Sequence, residues 1–128
     1  MKKRMLICTL VILAILVIYE ACGFIITRSC VSRAVKLKEG NETIEDTNDP
    51  LWSAQYHPGS HDSASVEVTV VPLFITIGPN EGKSHMLVTY HYYDAEGNNI
   101  MTSAPENEVF YYKKVNGTWE LERIHRKA

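Results

Sequence analysis

"VFYYKKVNGTWELERI", Val109 to Ile124, contains the turn from which the rest of the fold is read. Asn116-Gly117 between two strand-like runs is the pair that a two-residue type I′ hairpin needs, because both central residues of that turn take positive φ. The turn sets the register: Val115 faces Thr118, then Lys114 faces Trp119, Lys113 Glu120, Tyr112 Leu121, Phe110 Arg123 and Val109 Ile124. Phe110, Tyr112, Trp119 and Leu121 thereby share one apolar face, the expected core side. Lys113 with Glu120, and the Lys114 ammonium over the Trp119 ring, each contribute under about 1 kcal/mol. Val109, Tyr111 and Ile124 make the far end of the second face apolar as well, so a cover is expected there.

Upstream, "HMLVTYHYY" alternates Met86, Val88, Tyr90 and Tyr92 against His85, Leu87, Thr89, His91 and Tyr93, a period of two that predicts a strand. "SVEVTVV" places Val66, Val68 and Val70 on one face, and "LFITIG" resumes with Leu73, Ile75 and Ile77 after Pro72. Pro72 offers no amide donor, which predicts an edge strand broken by a bulge, or two strands. "PLWSAQY", Pro50 to Tyr56, is too apolar for a free linker and is expected to dock as about one helical turn. The predicted architecture is a transmembrane or signal helix followed by a mainly β domain, an antiparallel meander of about four strands, or α+β with one short helix.

Two stretches carry a family resemblance. "MLVTYHYYDAEGNNI" (Met86–Ile100) and "EVFYYKKVNGTWELERIH" (Glu108–His125) resemble the last strands of the nuclear-transport-factor-2-like or cystatin-like superfamily, in which a D-x-x-G loop precedes a strand and a "G-x-W-x-L" strand closes the domain. The resemblance implies a sheet curled around a pocket. The chain departs from it between Arg28 and Ser65, where no long helices of the kind such folds place before their sheet are evident.

At the other end, "MKKR" precedes "MLICTLVILAILVI", the charged and apolar parts of an export signal. Continued through Ile26, the apolar run has about 22 residues and about 33 Å as a helix, enough to cross a bilayer. Glu20 is its one charged residue, tolerable near the end of a span at a cost of roughly a few kcal/mol. "YEACG" resembles the lipobox of bacterial lipoproteins, which implies Cys22 as a lipidation site; Ala21 fits, while Tyr19 and Glu20 depart from the motif. Thr27 and Ser29 before Cys30 fit the small-x-small rule for plain cleavage. Uncut anchor, lipid-anchored and secreted forms therefore all stand. Bases on both sides of the span, Lys2, Lys3 and Arg4 against Arg28, Arg33, Lys36 and Lys38, nearly balance. The expected arrangement is single-pass in the cell membrane with the C-terminal domain outside.

Three regions follow: residues 1–26 as signal-anchor or lipoprotein signal, 27–64 as juxtamembrane segment and polar linker, and 65–128 as the β domain. All three cysteines lie in the first 30 residues, so the domain has no disulfide framework or thiolate metal site. From Glu39 to Glu108 twelve acids face the single base Lys83. That excludes nucleic acid as a partner, since phosphate requires a contiguous basic surface. The bases just after the span could lie on anionic headgroups.

His57, His61 and Asp62 in "HPGSHD" have an H-x-x-x-H spacing, but Pro58 and Gly59 break the helix it requires, and no metal site is assigned. His85 and His91 share a strand face with Thr89 and could serve as acid and base if a pocket opens there. Within the pocket that the resemblance implies, the ligand-binding candidates are His85, His91, Tyr93 and His125. No catalytic residue and no cofactor is assigned, and a non-enzymatic role is favoured. The expected partners are the membrane and a protein, and the expected function is a small membrane-held binding or accessory module. The alternative is a pocket protein, an enzyme or small-ligand carrier.

Overall fold

The computed structural model describes residues 2–57 and 59–127. It has the predicted layout: an N-terminal apolar helix α1 (Lys2–Ile26), a shorter helix α2 (Arg28–Glu39), and an antiparallel sheet of β1 (Ser65–Ile77), β2 (Glu81–Tyr93), β3 (Asn99–Thr102), β4 (Glu106–Val115) and β5 (Thr118–Arg126). The sheet order is β1-β2-β4-β5, with the short β3 beside the far end of β2. The strand number is five rather than about four because the DAEGNN loop returns early enough to pair Met101 with Tyr92.

α1 is almost wholly aliphatic, and none of its apolar window is buried against the rest of the chain. It runs almost directly into α2: the Thr27 amide and hydroxyl both donate to Gly23 O, at 3.1 and 2.9 Å, and Val31 N donates to Thr27 O. Such hydroxyl back-bonding bends a helix without breaking it. α2 ends at Gly40, whose φ of 80° lets its amide reach the Leu37 carbonyl while Asn41 N bonds Lys36 O. Its buried side is Cys30, Ala34, Leu37 and Lys38, one face at helical spacing. The stretch read as a juxtamembrane segment is thus the helix that covers the sheet. Its shortness, 12 residues, is why it did not look like a long helix in the sequence.

The inner face of the sheet supplies Val66, Ile75, Met86, Val88, Tyr90, Phe110, Tyr112 and Leu121 to the core beneath α2. Burying side chains of this size contributes about 1.5–3 kcal/mol each. The Trp52–Ala54 3-10 turn docks as expected: Leu51 is buried, and the Gln55 amide exchanges two hydrogen bonds with the Ile44 backbone, at 2.7 and 3.1 Å.

The hairpin has the expected turn, with Asn116 at φ 51° and Gly117 at 79°. The predicted pairing holds from Val115–Thr118 to Tyr112–Leu121 and then shifts by one. Glu122 bulges out, Tyr111 pairs with Arg123, Phe110 with Ile124 and Val109 with His125. The bulge keeps Ile124 on the core side, instead of on the second face, and brings Arg126 opposite Glu108. A second irregularity falls at Pro72, where Pro72 pairs with Met86 and Phe74 with His85. Leu73 is the extra residue and points to solvent, so β1 is one bulged strand and Leu73 does not continue the core face.

β1 is an edge strand, and side chains of the helices occupy its outward amides. Val68 N donates to Glu39 Oε2 at 2.8 Å, Ile75 N to Glu20 Oε2 at 2.7 Å, and Ile77 N to the Tyr19 hydroxyl at 2.7 Å. Glu20, the odd residue in the apolar run, is thus a partner for an otherwise unpaired strand amide.

Candidate functional site

The two faces of the sheet offer different chemistry. On the inner side, under the end of α2, Lys38 and Glu108 meet with Nζ to Oε1 at 2.6 Å, both side chains wholly buried. The Tyr90 hydroxyl sits between them. It donates to Glu108 Oε2 at 2.6 Å and accepts from Lys38 Nζ at 2.7 Å and Arg126 Nη2 at 2.8 Å. Burial, reinforced by the Glu108 carboxylate, pushes the Tyr90 phenol far above its ordinary range. Burial also pulls Lys38 below the usual lysine value, against the attraction of Glu108. Every polar position of the phenol is taken, so the cluster has no spare donor or acceptor there for a substrate.

This cluster borders a cavity of about 170 Å³ that Gln55, Tyr56, His57, His61 and Tyr92 help to line. Pockets for small organic ligands run to roughly 300–1,000 Å³, so this one is undersized. His61, at φ 54°, lies against the Tyr92 ring at 4.7 Å, and His57 against Trp52 at 5.1 Å. Among the described residues, no three His, Cys, Asp or Glu side chains converge as a metal set.

The sequence pattern held a signal for this cluster. Lys38 falls at the i+8 position from Cys30, on the same helical face as Ala34 and Leu37, and Glu108 alternates inward with Phe110 and Tyr112. Neither reads as buried in the sequence, because charged residues are rarely fully buried unless paired.

The four residues expected to line a pocket are all on the outer side of the sheet. His85 stacks on Phe74, with centroids 4.1 Å apart, and pairs in register with Val109. His125 lies across Val109 on its other flank. His91 sits between Thr69 and Thr102, at 3.4 and 3.2 Å, and Tyr93 donates to Glu67 at 3.1 Å. His85 and His91 are six residues apart along β2, about 20 Å, too far to act on one atom. The structure brings His85 and His125 to either side of Val109 and leaves His91 and Tyr93 at the opposite end. Cys22 is exposed on α1.

The outer face is also where apolar surface is left open. Val71 and Leu87 are register partners, Phe74 is 48% exposed, and Val109 behind them is 3% exposed. Burial, with the positive charges of Lys127 and Lys83, draws His85 below its ordinary value, which places those two bases around the same patch. Further along, Arg123 lies over the Tyr111 ring at 3.7 Å beside a half-open groove of about 500 Å³ bounded by Thr76, Lys83 and Glu122.

No protein-family model matches the sequence, and no curated protein matches it. Among solved structures, the chain is similar to the association domain of C. elegans CaMKII, with a TM-score of 0.35 and 20% identity over 48% of each chain. The chain thus spans about half the length of that neighbour. A likeness of that size carries no statement of fold family or function.

Proposed function

We propose that this protein is a membrane-anchored accessory module, its domain outside the cell, that binds a partner protein through the outer face of its sheet. The observation that carries the reading is the apolar band of Val71 and Phe74, each about half exposed, with the partly exposed Leu87 beside them. An exposed, contiguous apolar surface on a sheet that is closed on its other side is the mark of an interaction face. The bases Lys83 and Lys127 and the imidazoles His85 and His125 surround that band, so the fitting partner presents an apolar projection within an acidic rim. α1 supports the anchoring half of the reading, being long and apolar enough to cross a membrane. The pocket-protein alternative is not favoured, because the inner cavity is small and the Tyr90 hydroxyl on its wall is already engaged by Glu108, Lys38 and Arg126.

The test is site-specific photo-crosslinking in intact membranes of the native host. A photoreactive residue at Phe74 is expected to yield a discrete protein adduct, and one at Ala95, in the exposed loop at the far end of the sheet, to yield none. Equal labelling from both positions, or none from Phe74, would sink the proposal.

A further inference from the structure

The way α1 is attached to the sheet decides how close the domain stands to the bilayer. β1 runs antiparallel to the helices, with Glu39 on Val68 at one end and Tyr19 on Ile77 at the other. Between those contacts the helical path is 20 residues, about 30 Å, and the strand path is nine residues, also about 30 Å. The two elements are therefore in step along their length, and Gly23, against which Ile75 lies so closely that a Cβ would come within 2.7 Å of its Cγ2, fixes them near the Tyr19 end. Beyond Ile77 the chain continues past Tyr19 toward the N-terminal half of α1 and turns at Gly78–Glu81, where Gly78 N bonds Glu81 O. The second hairpin tip is tied to the first by Lys114 N donating to Asn80 O at 2.8 Å.

The turn Gly78–Glu81 consequently lies beside α1 at about the level of Tyr19, and the Val115–Thr118 hairpin adjoins that turn through the Lys114–Asn80 bond. The apolar helix still free of the domain is Met5–Ile18, 14 residues and about 21 Å, whereas the hydrocarbon layer is about 30 Å thick. A span that short cannot cross with the domain held clear of the lipid. From this mismatch we infer a second interaction surface: the end of the sheet formed by the turns Gly78–Glu81 and Val115–Thr118 is seated in the headgroup layer of the bilayer that α1 enters. The side chains at that level suit an interface. Tyr19 is the aromatic residue there, and on the adjoining hairpin Lys113 and Lys114 are exposed. The seat also gives residues 19–21 a role in the folded domain, which cleavage ahead of Cys22 would remove along with the Tyr19 and Glu20 bonds to β1.

This inference rests on the anchoring half of the reading above, and the experiment separates the two. The full chain, with Cys8→Ser and Cys22→Ser and with Cys30 buried, is reconstituted in phosphatidylcholine vesicles and labelled with a fluorophore at Val115→Cys, Pro79→Cys, Ala95→Cys or Leu13→Cys. Nitroxide lipids carry the quencher at the headgroup or at mid-chain. The expected result is headgroup quenching at positions 115 and 79 at least threefold stronger than at position 95, with mid-chain quenching at position 13. Quenching at 115 and 79 no stronger than at 95, with position 13 still quenched, overturns the seat and leaves the anchor standing. Loss of quenching at position 13 as well overturns the anchor and the seat together.

Discussion

The two faces of this sheet are made from alternate residues of the same strands, and they have been treated in opposite ways. The inner face carries the more expensive chemistry, a lysine and a glutamate removed from water, yet it is closed by α2 and the two charges are paired with each other. The outer face mixes polar side chains and histidines with aliphatic and aromatic ones, and leaves Val71 and Phe74 about half exposed. Burial therefore follows what covers a face, not how apolar its residues are, and an open face built of Val, Phe and Leu has a use other than folding the domain.

The contrast is broken most sharply at Glu108. Glu108→Ala leaves the Lys38 ammonium buried without its counter-charge and is expected to cost about 3–5 kcal/mol, read as a lowered urea midpoint of the full chain in detergent micelles. A loss below about 1 kcal/mol would mean that water reaches Lys38 and that the inner face is not closed. The paired change Lys38→Met with Glu108→Leu is expected to recover most of that loss, since a well-packed apolar pair often matches a buried ion pair.

Next in size is Gly23→Val, which forces Ile75 away from the helix and is expected to cost about 1–3 kcal/mol by overpacking. The same measurement reads it, and a neutral result would detach α1 from β1 and remove the basis for a seated domain.

Alkaline titration sharpens the comparison without a mutation. Burial raises Tyr112, which shares a 2.5 Å hydrogen bond with Ser84, to about 12, and Tyr90 is raised as well. A group raised on folding binds its proton more tightly in the native state, so its contribution is fully present below pH 10 and is lost as pH rises from 10 through about 12. Lys38, lowered by burial, works in the opposite sense, adding stability as pH rises through its folded value. The expected signature is tyrosinate absorbance in two steps, exposed tyrosines first and Tyr90 with Tyr112 only as circular dichroism is lost. Ionisation of all tyrosines before unfolding would contradict the closed inner face.

The smallest effect on stability is predicted where function is proposed. Phe74→Ser should change the urea midpoint by no more than about 0.5 kcal/mol in equivalent stability, while abolishing the partner adduct formed from a photoreactive residue placed at Val71. A large destabilisation would make Phe74 a folding residue and remove the outer face as an interface.

Much of the fold was legible because its signals are local. The Asn116-Gly117 turn, the alternation from His85 to Tyr93 and the break at Pro72 each depend on residues within a few positions of one another. The register beyond Tyr112 was not legible, because the bulge at Glu122 is selected by what Ile124 and Arg126 meet across the sheet. Lys38 and Glu108 were missed for the same reason. They are 70 positions apart, and neither reads as buried until the other is placed beside it.

By itself, then, the amino-acid sequence determined an apolar leader and a run of antiparallel strands ending in a type I′ hairpin, since periodicity and turn chemistry act over single turns of backbone. Tertiary structure alone decided which charges would be buried together, and that Tyr19, Glu20 and Gly23 belong to the domain as much as to the leader. The physical reason is that desolvation and the satisfaction of an edge amide depend on the partner brought up to them, and those partners lie on other elements of the chain.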